Sequence, residues 1–390
     1  MNSIHYTIKT LAGLCSATAL ALGTTAAGDG KQTAVNEPAT TALDDFFKLA
    51  ALYEGDENTS IQSFVLSGRL QADAAFFYPS QADHYESFHW RRFRAGFKAK
   101  FLNHFTLHSE AGFDLNDWDF DELDDVYSRL TDTYVAWKAS DAFNLKIGKI
   151  AAQFTMDGWT SSKKLIRLER SLLSNNLWFP AEYHAGTSAD GEIDNWIYKI
   201  GMYSSAGGPE FGDFDAGYFG LFSIGYDFAD TLDMDKALLR LDYVYNDENK
   251  NNEGTRDLGQ VVSFNAQLEK GKFGIRTDIA AGDGYGEQSD LFAISLIPFY
   301  NITDKWQAVM SYNYVTSDGP NGVHLDRYEN RAVSGRADEV HEFFAGLNYY
   351  IYGHKLKWQN GIEYTTASDS ANDGGAYDGW GFTSGIRLSW

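Results

Sequence analysis

From residue 61 to the terminal Trp390 the chain repeats one pattern: segments of roughly 9 to 14 residues alternate apolar and polar side chains, with turn chemistry between them. Sixteen such segments can be drawn, at 61–78, 88–101, 103–114, 128–139, 142–150, 181–190, 193–204, 217–228, 236–246, 257–269, 272–282, 288–300, 303–316, 336–350, 353–367 and 379–390. Their connections alternate in length. Short turns at 102, 140–141, 191–192, 270–271, 301–302 and 351–352 alternate with longer loops at 79–87, 115–127, 151–180, 205–216, 247–256, 283–287, 317–335 and 368–378. An all-β, antiparallel up-and-down barrel of about sixteen strands makes this demand, because an even strand number places both termini and the short turns on one side. A soluble sandwich has no reason to alternate its loops in this way. The segment 229–235 departs from the rule, being longer than a tight turn.

The alternation has two different faces, as a membrane wall requires. In the second segment Phe93, Ala95, Phe97, Ala99 and Phe101 share one side and Arg92, Arg94, Gly96, Lys98 and Lys100 the other. Phe143, Leu145 and Ile147 alternate likewise with Asn144, Lys146 and Gly148. Aromatic residues make up 15% of the chain and gather near segment ends, as at Tyr349, Tyr350, Tyr352 and Trp358, where barrels carry interfacial girdles. Ile386, Leu388 and Trp390 fall on one face of the last segment, the form of an outer-membrane assembly signal. No apolar run beyond the N-terminus approaches the ~18 residues of a spanning helix, so the membrane fold available to this chain is a barrel.

Residues 1–27 are predicted to be a cleaved secretory signal, with Lys9, an apolar stretch from Leu11 to Leu22, and Thr25-Ala26-Ala27 before the cut. The single cysteine, Cys15, lies within it, so the exported chain is expected to have neither disulfide nor thiolate metal site. The large Leu14 before Cys15 disfavours lipidation there. Residues 28–60 form a polar periplasmic leader around an amphipathic stretch, Leu43 to Tyr53, expected to be a helix or small plug. The barrel proper is assigned to 61–390, and the location to the bacterial outer membrane.

A formal charge of −22 argues against nucleic acid as partner. The acids cluster between segments, as in Asp114 to Asp125, where seven occur in twelve residues, and fit solvated loops. Asp117, Asp119 and Asp121 have the spacing of a calcium loop, but Glu122 stands where the sharp turn needs Gly, so no metal is expected there. No cofactor is expected either.

The 30 residues of 151–180 are too many for a connection and carry apolar side chains unsuited to a surface: Phe154, Met156, Trp159, Leu165, Leu172 and Leu173. This third loop is expected to fold into the lumen, with a helix-like segment from Ser161 to Leu173. That segment carries Lys163, Lys164, Arg167 and Arg170 against the single Glu169. Facing them, Arg92, Arg94, Lys98 and Lys100 form a basic ladder on one strand face, with Lys146 on another; pairing with acids such as Glu110 and Asp132 is the competing role for these cations. Arginine's planar fork suits phosphate, and Lys adds a mobile point charge. A narrowed, positive lumen predicts a passive path for small anions.

Three stretches resemble the phosphate-selective porins O and P: Ser67-Gly-Arg-Leu-Gln-Ala-Asp73, Arg91-Arg-Phe-Arg-Ala-Gly-Phe-Lys-Ala-Lys-Phe101 and Thr160-Ser-Ser-Lys-Lys-Leu-Ile-Arg-Leu-Glu-Arg-Ser-Leu172. Thr133-Tyr-Val-Ala-Trp-Lys138 and Leu145-Lys-Ile-Gly-Lys149 are similar too. The likeness covers about 61–180 and is architectural beyond. It implies a sixteen-stranded porin in outer-membrane lipid, usually a homotrimer, with the third loop inside and a basic ladder that passes inorganic anions such as phosphate or polyphosphate.

Two other readings of the residues stay open to test. A general or sugar-type porin would use Trp159, Trp178 and Phe179 for stacking. A soluble glycan-binding β-protein would have to explain the terminal Trp390 and the alternating loops. An enzyme is not expected: the nine histidines are scattered, and none stands in a nucleophile context.

Overall fold

The computed structural model describes residues 41–116 and 126–390. The predicted signal 1–27, the leader up to residue 40 and most of the acidic run, 117–125, lie outside the described residues. After a helix α1 (Thr41–Lys48) and a short strand β1 (Ala51–Glu54), sixteen strands form the wall. They are β2 (Ile61–Pro79), β3 (Tyr85–Phe101), β4 (Phe105–Phe113), β5 (Tyr127–Ser140), β6 (Phe143–Ala151), β7 (Tyr183–Ile193), β8 (Trp196–Ser204) and β9 (Tyr218–Asp227). The second half comprises β10 (Lys236–Asn246), β11 (Leu258–Lys270), β12 (Phe273–Gly284), β13 (Leu291–Asn301), β14 (Trp306–Ser317), β17 (Glu339–Tyr352), β18 (Leu356–Ser368) and β19 (Tyr377–Ser389), while the two-residue strands β15 (Val323–His324) and β16 (Arg336–Ala337) pair with each other between β14 and β17. Each pairs antiparallel with its neighbour, and β19 closes on β2 from Gly379↔Pro79 to Ser389↔Arg69. All sixteen predicted strands are present, displaced at their ends by a few residues.

Closure inverts the burial pattern of a soluble sheet. On β19 the outward side chains Trp380, Phe382 and Ile386 are 55%, 44% and 43% exposed, whereas the inward Thr383 and Arg387 are buried. An apolar outside over a polar inside is the arrangement that lipid demands, since the backbone bonds are already spent on neighbouring strands. Among the described residues no helix is long and apolar enough to cross a membrane. The long connections fall on one side, numbered L1 to L8 in chain order, and the short turns on the other. The odd connection 228–235 holds a helical turn, α4 (Ala229–Leu232), ended by Asp233 in the left-handed region at φ 50°.

The C-terminus is locked to the first wall strand. Gly68 and Trp390 exchange both backbone hydrogen bonds, each 3.2 Å long, and the indole lies against Gly68, where any Cβ would overlap it. The predicted amphipathic leader becomes α1 and β1. Phe47 stacks on Tyr352 at 4.8 Å, Asp44 accepts from the Tyr352 hydroxyl, and β1 pairs with the start of β2.

Candidate functional site

L3 (152–182) and L7 (318–338) turn into the barrel. L3 contains two helical turns, α2 (Met156–Trp159) and α3 (Leu172–Leu177), the latter capped by the Ser171 hydroxyl accepting from Ser174 N–H at 3.3 Å. Phe154, Leu172, Leu173, Leu177 and Phe179 are fully buried in one cluster with inward residues such as Tyr203, Phe219, Val261, Ala293 and Val315. Burying each is worth roughly 2 kcal/mol, so L3 is bound to the β8–β14 wall and the open space is left against β3 to β5.

The expected helix across Ser161–Leu173 does not form; residues 161–171 are irregular, and Leu172 and Leu173 are helical only as the start of α3. Its carbonyls are met by the barrel wall instead. Asn348 donates to Ile166 O at 2.7 Å, Gln359 to Leu165 O at 3.3 Å and Arg167 O at 3.4 Å, Arg387 to Leu168 O at 3.3 Å, and Lys357 to Leu165 O. External donors remove the need for a helix's internal ladder, and the chain is free to bury Leu165, Ile166, Arg167 and Leu168 in succession.

Above L3, toward the long loops, a cavity of about 1000 Å³ is lined by eight arginines and three acids. A bulge between β2 and β3 builds its first wall: Gln71 pairs with Arg92 and Ala72 with Trp90, leaving Arg91 as the extra residue. Both neighbouring arginines therefore reach Glu169 of L3. Arg91 is bidentate, with its Nη2 2.9 Å from Oε2, and Arg92 lies 3.4 Å from the same oxygen. A second acid, Glu182, receives Arg94 at 3.0 Å and Arg170 at 3.4 Å, with Arg129 at 3.8 Å. Burial would raise the Glu182 carboxyl, but Arg94, Arg170, Arg92 and Arg129 hold it well below the usual carboxylate range. Burial opposes ionisation of Glu169 too, and Arg91 and Arg92 likewise prevail. Arg256 from L5 and Arg327 and Arg331 from L7 complete the cationic rim.

The predicted ladder and loop residues separate into three groups. Arg92, Arg94 and Arg170 line the cavity. Lys98, Lys100, Lys163 and Lys164 lie toward the short-turn side: Lys98 and Lys100 are exposed opposite His108 and Thr106, Lys163 donates to the Trp390 carbonyl at 3.2 Å, and Lys164 is exposed. Arg167 and Lys146 are held by acids. Arg167 is buried, 2.7 Å from Glu342 and stacked on Phe344 at 4.6 Å; Lys146 is 2.7 Å from Asp190. Glu110 is occupied by Arg69 at 2.9 Å, and Asp132 accepts from Ala151 N–H at 3.4 Å, so neither neutralises the ladder by direct contact.

Arg91, Arg129, Arg256, Arg327 and Arg331 escaped the sequence analysis. Arg91 sits on the wrong parity and only the bulge admits it; the others lie on a strand start or in loops whose inward fold has no local signature. The aromatics proposed for stacking are already covered. Arg240 lies over Trp159 at 4.2 Å and Arg170 over Trp178 at 4.3 Å, while Phe179 is in the apolar cluster.

A closed sixteen-stranded barrel with an inward loop and charged lumen defines a porin, a channel of the bacterial outer membrane. The model of the phosphate-selective porin O and P family matches residues 64–268, and the chain belongs to that family. No curated protein matches it. Among solved structures it is similar to a loop-deletion form of OmpT from Vibrio cholerae, 16% identical with a TM-score of 0.56 over 85% of this chain and 100% of that one. An anion-selective porin from Comamonas acidovorans is 11% identical, TM-score 0.57, over 84% and 99%. Salmonella typhi OmpF is 11% identical, TM-score 0.61, over 87% and 100%. At these identities the likeness shows the fold.

Proposed function

We propose that this porin is an anion-selective passive channel for small oxyanions, phosphate among them, working as a homotrimer in outer-membrane lipid after removal of residues 1–27. The observation that carries the reading is the cavity above L3, where eight arginines outnumber three acids. An entering anion meets Arg92, Arg94 and Arg170 first, with Arg91, Arg129, Arg327 and Arg331 around them. It then passes the edge of L3 to Lys163, Lys98 and Lys100. Arginine above and lysine below grade the path from bidentate capture to looser point charge, so binding is firm enough to enter and weak enough to leave. Arg167 and Lys146 serve the wall, and Lys164 adds to the field below.

The family's description as phosphate-selective and the anion selectivity named for the Comamonas porin support the solute class. The trimer form named for OmpT supports the assembly. A sugar-type channel is disfavoured because this chain's own arginines cover the faces of Trp159 and Trp178. The test is the reversal potential of the purified protein in a planar bilayer under a KCl gradient, with and without phosphate. Anion preference with phosphate block of the chloride current is expected; cation preference would overturn the assignment.

A further inference from the structure

A second charged centre lies beside the anion cavity, where L7 rests on the wall. Glu329, in the helical turn α5 (Glu329–Ala332), meets Glu342 of β17 and Glu363 of β18. One carboxylate oxygen from each lies within 4.8 Å of the others. The three are 1%, 0% and 7% exposed, so water does not dilute their repulsion. Asp326 and Glu169 join Glu329, Glu363, Arg167 and Arg327 in lining a void of about 10 Å³ beside them, at the lower limit of space for one water molecule. Within the glutamate cluster Arg167 is the ion-pair partner, at 2.7 Å from Glu342 and 3.6 Å from Glu363.

The arginine leaves oxygens without a donor. Glu342 Oε1 receives Asn313 Nδ2 at 2.8 Å, but Glu342 Oε2 and Asn313 Oδ1, both on fully buried side chains, have no hydrogen-bond partner. Unpaired buried carboxylate oxygens are costly, and the unpartnered donors beside them are the Nε and Nη1 of the same Arg167. Hard oxygen donors drawn from carboxylates and a carboxamide are the set that a divalent cation takes. Three oxygens about 2.4 Å from an ion in their plane would stand about 4.2 Å apart, and closer for an ion above it, so binding draws the three carboxylates together.

We propose that Glu329, Glu342 and Glu363 bind one divalent cation of the calcium or magnesium type, which fastens L7 to the barrel wall. The ion supplies the positive charge that Arg167 alone does not. Because Arg327 and Arg331 leave the same loop toward the anion cavity, the site also fixes where those arginines stand.

Full-length protein purified in detergent and stripped with EDTA is titrated calorimetrically with CaCl₂ and with MgCl₂. Saturable binding of about one ion per chain by millimolar concentration is expected, weakened at least about tenfold in E329Q and E363Q. Should E363Q not fold, E329Q decides, since it alters a loop side chain and leaves the wall intact. Absence of saturable binding, with protons neutralising the carboxylates, would overturn the proposal. Binding undiminished in E329Q would place the ion elsewhere and overturn it equally.

Discussion

Asn348 on β17 donates its carboxamide N–H to the Ile166 carbonyl at 2.7 Å, joining wall and inner loop across 182 positions of sequence. The bond stands in for one the loop would have made internally as a helix. Gln359 repeats the device on Leu165 and Arg167. Each such bond contributes about 1 kcal/mol net. The double variant N348A/Q359A is expected to keep a folded barrel, whose ladder does not depend on them, while L3 loosens by roughly 2–3 kcal/mol. Single-channel recordings should show a larger and noisier open current; an unchanged current would mean that the apolar anchors alone hold the loop.

Glu182 gathers Arg94, Arg170 and Arg129, so its charge is subtracted from the anion cavity. Its carboxyl is held well below the ordinary range by those arginines against the opposing effect of burial, and it stays ionised through mildly acid pH. E182Q should therefore strengthen anion binding at neutral pH. One unit charge at roughly 5 Å in a water-like medium amounts to about 0.8 kcal/mol, roughly fourfold in affinity. Phosphate block of the chloride current measures it. Weaker block in E182Q would show that the acid positions the arginines more than it cancels them.

Gly68 accepts the Trp390 indole at a distance that leaves no room for a Cβ. G68V is expected to destabilise the closed barrel by about 1–3 kcal/mol through overpacking. Thermal unfolding in detergent should show G68V/W390A less destabilised than the sum of the single variants, because removing the ring makes the space. Additive losses would place the strain elsewhere in β2.

The wall was legible because alternation is a local property: every strand carries its own two-faced pattern, and lipid requires the apolar face outward whatever the tertiary detail. The inward fold of L3 was legible from Phe154, Leu172 and Leu173, which no exposed loop would carry. The interior was not. Ser161–Leu173 has helical spacing, yet Asn348, Lys357, Gln359 and Arg387 supply the donors that make a helix unnecessary, and nothing near residue 165 announces them. Parity with Phe93 and Ala95 would turn Arg91 outward, and one extra residue opposite Gln71–Ala72 brings it in. The Glu329, Glu342 and Glu363 cluster is assembled from a loop and two strands, so no spacing motif marks it.

Below L3, Lys163 provides the pH dependence that the arginines cannot. Burial, then Arg69 and Lys98 against the attraction of Glu110, lowers its ammonium to about 8. A depressed lysine is charged below that value and neutral above it, so about nine tenths of chains carry the charge at pH 7 and about one tenth at pH 9. Guanidinium groups as a class do not titrate over that interval. Anion preference should consequently fall between pH 7 and pH 9, the loss being centred near pH 8. K163M is expected to show the alkaline level at both pH values, and K163R to keep the neutral level at both, because a guanidinium does not titrate there. Reversal potentials of the three proteins under one KCl gradient read this directly. A pH step that persists in K163R would assign the titration to another group and remove Lys163 from the anion path.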